Sequence, residues 1–362
     1  MKKIIFLFTI ISLISACKPN KPIQECKNTS IEIIENKQYL ESNVIRNSAL
    51  ILNEGGFTYG NASITEWKEN SILNQQVYQM KNNNSIGDVL QSAYKYGNEI
   101  YFVLNNSQKI EVVDKNSLER IKTIAGFTSP RYMTIANNIA FVTELFDNKI
   151  SVFNIETGCE KESITMNGWT EQIFFVNEKI FVIERSEVGA STLFANIVEI
   201  GFETVGKDIT YSIKKRTAIA IEPQSVQLDS DNNIWILSSG KESENVFPTL
   251  TKFNTNSKSI EISFSKNTYT NKPQNLVFDN NNIYYNQGND IFKITTNDYS
   301  FSATKEFTTD ATNIYSLAFN NSKIFVFDAK DYVSEGEVFV YNNQGTLIET
   351  IQTGIIPSKI IF

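Results

Sequence analysis

The feature that most constrains this chain is a short motif that recurs six times, an Asn-led tight turn running straight into a strand with no polar alternation. It reads NEIYFV (Asn98 to Val103), NNIAFV (Asn137 to Val142), NEKIFV (Asn177 to Val182), NNIWIL (Asn232 to Leu237), NNIYYN (Asn281 to Asn286) and NSKIFVF (Asn321 to Phe327). The aligned apolar positions Ile100, Ala140, Ile180, Ile234, Ile283 and Ile324 are separated by 40, 40, 54, 49 and 41 residues. Repeats of this length correspond to one four-stranded propeller blade each. An unbroken apolar run is what a strand needs when both of its faces are covered, as in a blade stacked between two neighbours.

Each repeat divides into four strands, A to D from the channel outward. In the third blade the sequence predicts A over Arg131 to Ala136, B over Ile139 to Thr143, C over Lys149 to Asn154 and D over Glu160 to Met166, with Asn, Asp, Gly and Thr at the turns. Strand A follows a proline at Pro130, Pro223, Pro273 and Pro357, a position where the missing N–H removes nothing from the ladder. The last of these, PSKIIF (Pro357 to Phe362), is a strand A after which the sequence stops. Its partners are found at the other end, with B at Ser48 to Asn53, C at Ala62 to Lys68 and D at Gln75 to Met80. The expected fold is therefore all-β, a seven-bladed β-propeller closed by pairing of the C-terminal strand with the N-terminal blade, which leaves no open inner edge.

The first residues stand outside this pattern. Lys2 and Lys3 precede an apolar stretch, Ile4 to Ile14, too short to span a bilayer, and Ile14-Ser15-Ala16-Cys17 ends it. This resembles a bacterial lipobox, which implies cleavage before Cys17 and acylation there, so that the chain is anchored to a membrane through lipid. The expected organisation is a leader over 1–16, a lipidated Cys17 and polar tether over 17–47, and the propeller over 48–362.

AFVTELFDNKISVFNIETG (Ala140 to Gly158) is similar to the YVTN repeat, with Val142-Thr143, Asp147-Asn148 and Ser151-Val152 in matching places. ILNEGGFTYGNASI (Ile51 to Ile64), SIGDVLQS (Ser85 to Ser92), SPRYMTI (Ser129 to Ile135) and DNNIWIL (Asp231 to Leu237) resemble YncE-like surface lipoproteins of Bacteroidetes. The resemblance covers about Ser48 to Phe362. It implies a cell-envelope, outer-membrane lipoprotein, and some members of that group bind cobalamin and sit over a TonB-dependent transporter. A corrinoid ligand and a TonB-dependent receptor partner are therefore expectations from likeness alone. The basic stretch Lys18-Pro19-Asn20-Lys21-Pro22 departs from the acidic residues common after the lipidated cysteine of surface-exposed members, which leaves the side of the membrane open.

Strands alternate in direction, so A/B and C/D turns share one face while B/C and D/A loops share the other. The A/B turns are short and alike; the B/C loops differ in length, as in Asn53 to Asn61, Glu184 to Thr192 and Asp328 to Glu335. Binding residues gather on such loops over a rigid scaffold, which marks the B/C and D/A face as the working one. That face offers Phe57, Tyr59, Phe146, Phe247 and Tyr332 from B/C loops and Trp169 from a D/A loop, together with Asn61, Arg185 and Gln287. Aromatic side chains give large contact area at low entropic cost. The aligned starts of strand A bring Arg131 with its neighbour Tyr132, then Glu171, Gln224, Gln274, Tyr315 and Ser358 toward the channel mouth. The Arg131 fork suits a carboxylate or phosphate; pairing with Glu171 is the competing arrangement. Trp67 and Trp235, inside strands, read as core.

Composition removes several chemistries. There is no histidine in the chain, which excludes His-based triads and His-ligated metal. Without the leader lysines the formal charge moves from −7 to −9, since −7 − 2 = −9, and no cluster of Lys and Arg suits nucleic acid. Acidic stretches such as Asp229 to Asn233 lack calcium-loop spacing. Cys26 and Cys159 remain besides Cys17, and a disulfide between them is an open option outside the cytoplasm. The expectation is a non-enzymatic protein with no cofactor or metal that captures a small molecule, the alternatives being a protein-interaction scaffold or a glycan binder.

Overall fold

The computed structural model describes residues 31–36, 46–160, 163–205, 208–269, 272–279, 282–296 and 304–362. Seven small antiparallel sheets form the ring of a seven-bladed propeller. From the channel outward, blade 1 is Pro357–Ile361, Ala49–Asn53, Ser63–Lys68 and Ser71–Asn74, and blade 3 is Pro130–Ala136, Ile139–Glu144, Lys149–Asn154 and Ile164–Thr165. The C-terminal strand closes the ring as the sequence leads one to expect, with Leu50 opposite Ile361, Ile51 opposite Ile360, Leu52 opposite Lys359 and Asn53 opposite Pro357.

The apolar runs are explained by where alternate residues go. In the second strand of blade 2, Ile100, Phe102 and Leu104 pack with Leu50, Leu52 and Ile64 of blade 1. Tyr101 and Val103, the intervening residues, pack with Met133, Ile135, Ala140 and Val142 of blade 3. The same division repeats around the ring in seven clusters, the last of which joins Phe325 and Phe327 of blade 7 to Ala49, Ile51 and Trp67 of blade 1. Each fully buried side chain of this kind is worth about 1.5–3 kcal/mol, so stability resides mainly between blades. Trp67 and Trp235 are both buried in these seams.

The Asn-led turns follow from backbone geometry. Asn137 and Asn138 have φ of 50° and 61°, and Asn321 and Ser322 have 49° and 59°. Two consecutive left-handed residues make the type I′ hairpin that matches strand twist, and asparagine tolerates that region best after glycine.

Three details differ from expectation. Gln75 to Met80 is not the outer strand of blade 1. Asn70, with φ of 62°, turns the chain earlier, so that Ser71–Asn74 pairs with strand C, and Val77–Asn82 forms a short helix that buries Val77 and Tyr78. In blade 3 the outer strand shrinks to Ile164–Thr165 with an isolated bridge at Glu160. Residues 32–35, inside the stretch read as tether, form a strand that adds to the outer edge of blade 2, Glu32 opposite Ala125 and Glu35 opposite Lys122. Ile31 is buried with Phe127 and Ile155, and Ile33 packs on the same cluster, which gives this strand its hold. Among the described residues no helix is long and apolar enough to cross a membrane.

Candidate functional site

All seven blades interrupt the pairing of strand A with strand B near its start. The register shifts between Leu90 and Ser92, between Val142 and Glu144, between Thr170 and Ile173, between Pro223 and Ser225, between Gln274 and Val277, between Ile314 and Ser316, and between Leu52 and Asn53. A bulge leaves a residue unpaired and re-aims its side chain. The residues released are Gln91, Arg131 with Tyr132, Glu171 with Gln172, Gln224, Asn275 with Leu276, Tyr315 and Ser358. Beneath them the last residues of strand B tie down the D/A loops. Glu144, fully buried, accepts from the backbone N–H of Thr128 at 2.6 Å and Ser129 at 3.1 Å, and Asp328 accepts from Thr312 and Asn313, each at 2.8 Å. These carboxylates serve the scaffold.

At the mouth the bulge residues of blades 2, 3 and 4 meet. Arg131 donates through Nε and Nη2 to Oε2 of Glu171, both at 3.0 Å, and through Nη1 to the Gln91 side chain. Its fork is thus held by the neighbouring blade, and of the two arrangements open in the sequence the pairing with Glu171 is the one found. Arg185 reaches the other oxygen of Glu171 at 3.3 Å and lies 5.0 Å from the centroid of the Trp169 ring. Trp169 opens strand A of blade 4 rather than lying in the D/A loop, and it meets Phe146 edge-on at 5.7 Å. Arg131, Tyr132, Glu171, Gln172, Arg185, Glu222, Pro223, Gln224 and Ser239 enclose a cavity of ≈ 380 Å³ on the B/C and D/A face.

A second polar group extends from Tyr132 toward blades 1 and 7. Lys359 Nζ sits 4.4 Å from the centroid of the Tyr132 ring and donates to the Gln91 carbonyl at 3.1 Å. Burial lowers its pKa to about 8; Arg131 adds to the lowering, and Glu54 and Glu171 oppose it. Glu54, buried, accepts from the Tyr315 hydroxyl at 2.8 Å, and burial pushes its carboxyl up. Burial likewise raises the Tyr132 phenol to about 12.

The remaining predicted residues are dispersed. Phe57 and Tyr59 are the most exposed aromatics among the described residues, at 66% and 79%. Asn61 serves its own loop by accepting from the Gly56 N–H at 2.8 Å. Phe247 stacks on Tyr269 at 4.5 Å, Tyr332 meets Tyr315 edge-on at 6.1 Å, and Gln274 and Gln287 are half-buried in blade 6. Sequence reasoning missed Gln91, Gln172, Glu54 and Lys359. Lys359 was accessible to it, because it occupies the same place after the strand-A start, Ser358, that Tyr132 occupies after Arg131.

A hollow of ≈ 440 Å³ lies on the opposite face, lined by Arg46, Trp67, Lys68, Asn321, Lys323 and Phe362 among others. Two of its cations are engaged locally: Arg46 donates to the carbonyls of Lys115 and Ser48, and Lys323 pairs with Glu69. Among the described residues no group of three potential metal ligands occurs. Cys159 is disulfide-bonded; Cys26, and Cys17 where lipidation is expected, lie outside the described residues.

Comparison with solved structures gives the fold. A quinonprotein alcohol dehydrogenase-like protein from Bacteroides thetaiotaomicron is 15% identical with a TM-score of 0.61, over 86% of this chain and 78% of the other. A putative 6-phosphogluconolactonase from Bacteroides fragilis is 12% identical with a TM-score of 0.61, over 87% and 99%. BamB from Moraxella catarrhalis is 11% identical with a TM-score of 0.52, over 89% and 88%. No curated protein matches the chain. Residues 47–354, the propeller almost in full, match a single sequence family, and the chain accordingly belongs to DUF5074, described as a domain of unknown function.

Proposed function

We propose that this chain is a non-enzymatic, lipid-anchored binding protein of the cell envelope that holds a small polar molecule at the channel mouth of its B/C and D/A face. The observation that carries the reading is the ≈ 380 Å³ cavity built from bulged strand starts of adjacent blades. Its side chains are positioned before any ligand arrives, with Arg131 and Arg185 both braced on Glu171. Such preorganisation lowers the ordering cost of binding.

The size of the cavity bears on the ligand. A corrinoid is far larger than this volume, so it would rest across the rim near Phe146 and Trp169 and insert one polar side group between Arg131 and Gln224. Delivery to a TonB-dependent transporter belongs to the same reading and rests on sequence likeness to lipoproteins that do so. A glycan or a protein loop would use the same rim, with the exposed Phe57 and Tyr59 as stacking or anchoring groups.

The experiment is a binding screen on the protein, beginning with corrinoids and continuing through small polar metabolites, read by calorimetry. Any compound that binds is then titrated against Gln224→Ala with Ser239→Ala, two lining residues outside the Arg131 network. Loss of two hydrogen bonds to ligand costs about 1–3 kcal/mol together, or tenfold and upward in affinity. Unchanged affinity in the double variant would remove the channel mouth as the site.

A further inference from the structure

We infer that Lys359 and the Tyr132 hydroxyl form an anion subsite in the channel, one that takes a carboxylate or phosphate group of the ligand. The inference rests on the channel mouth being the binding site and supplies the chemical class of what enters it.

The argument is a count of donors and acceptors. A lysine ammonium has three N–H donors. Among the described residues Lys359 uses one, to the Gln91 carbonyl, and its Nζ lies over the face of Tyr132. The other two cations of the mouth are satisfied differently, since Arg131 and Arg185 share Glu171 as their carboxylate. Glu54, the acid whose charge Lys359 feels most, is engaged by the Tyr315 hydroxyl, and burial raises its pKa. Tyr132 is approached by the side-chain amides of Gln91 and Gln172, each at 3.5 Å, which makes its oxygen the acceptor and leaves its O–H hydrogen to be given. Lys359 and the Tyr132 hydroxyl therefore hold unspent donors and no unspent acceptors, and Tyr132 lines the cavity.

Charge points the same way. Arg131 and Arg185 share Glu171 as an ion-pair partner, whereas Lys359 has no carboxylate within 4.0 Å among the described residues. A buried cation without a direct ion-pair partner is costly, and an anionic oxygen arriving there replaces the lost hydration with a charge-assisted hydrogen bond. The groups facing Lys359 are Glu54 from the loop after the second strand of blade 1, Gln91, Arg131 and Tyr132, Glu171 from blade 4, and Tyr315 through Glu54. An arriving cation would find its nearest acid already engaged.

The test follows Lys359 directly. Protein labelled with ¹³C at lysine Cε is titrated from pH 6 to 11 by NMR, with the Lys359 resonance assigned by its loss in Lys359→Met. Acetate, inorganic phosphate and tetramethylammonium are added separately at matched ionic strength. The expected result is a saturable rise of the Lys359 midpoint, by about half a unit or more, with acetate or phosphate and not with tetramethylammonium. The acetate and phosphate arms tell which anion geometry fits. Tyr132→Phe should weaken that saturation about fivefold while leaving the lysine resonance and its titration in place. An unmoved midpoint with both anions, an equal shift with tetramethylammonium, or an unchanged saturation constant in Tyr132→Phe overturns the subsite. A neutral compound that binds through Gln224 and Ser239 while both anions leave Lys359 unmoved would keep the channel-mouth site and remove only the anion.

Discussion

Lys359→Met is expected to stabilise this protein at neutral pH. The side chain is a cation held in the channel with its pKa lowered to about 8 by burial, from an ordinary 10.5. Between those values the unfolded chain binds a proton that the folded chain does not, so stability falls as pH drops from 10.5 to 8 and stays lowered below 8. At about 1.4 kcal/mol per pKa unit the cost at pH 7 is about 3 kcal/mol. Methionine removes that cost but also the hydrogen bond to the Gln91 carbonyl, worth about 1 kcal/mol. The net gain is about 2 kcal/mol, or about 3 °C in melting temperature for a chain of this size. Urea unfolding of both proteins at pH 7 and pH 10.5 measures it, and the advantage of the variant should shrink to nothing or reverse at the higher pH. A difference that does not change with pH, or a variant less stable at pH 7, would refute the picture of Lys359 as a strained cation kept for binding.

Three more expectations follow from the architecture. Deleting Pro357–Phe362 removes the inner strand of blade 1 and exposes Ala49–Asn53 as an edge, a loss of about 5 kcal/mol from hydrogen bonds and packing together; aggregation or a collapse in melting temperature should result, and a normal melt would contradict the closure. Gly336→Ala places a Cβ 2.4 Å from the Pro357 ring and 2.6 Å from the Asp328 carbonyl, both rigid, whereas Gly201→Ala meets the flexible Lys214 side chain at 2.7 Å; the first should cost about 2–3 kcal/mol and the second under about 1 in urea unfolding, and equal costs would be inconsistent with the seam. Cys17→Ser should abolish membrane partitioning after carbonate washing if the lipid provides the anchor, and retention of the variant in membranes would exclude lipidation as the attachment.

The seven blades were legible because each seam requires apolar residues on both faces of the inner strands, and runs such as Ile100 to Leu104 cannot be satisfied any other way. Closure was legible because Pro357 to Phe362 has a strand-A pattern with nothing after it. The outer strands were harder to read: Ser71–Asn74 is mostly exposed and carries little periodic signal, so the buried pair Val77 and Tyr78 of the helix attracted the strand assignment instead. The strand Glu32–Glu35 was missed for a similar reason, being four residues of which Glu32, Ile34 and Glu35 are exposed, on a polar background. At the site, Arg131 and Glu171 were found by aligning repeats. Their mutual pairing was not decided by that alignment, because it depends on how closely blades 3 and 4 approach. Glu54 was missed because it enters from a B/C loop, where no repeat register guides the reading.

The claim on which the account turns is that the B/C and D/A mouth of the channel, and not the opposite hollow, is where this protein binds its ligand. The most direct measurement is calorimetry of the tightest compound from the screen on three proteins: wild type, Gln224→Ala with Ser239→Ala, and Lys68→Ala in the opposite hollow. The account predicts a loss of about tenfold or more in affinity for the double variant and wild-type affinity for Lys68→Ala. Weakened binding in Lys68→Ala with wild-type affinity in the double variant would contradict it.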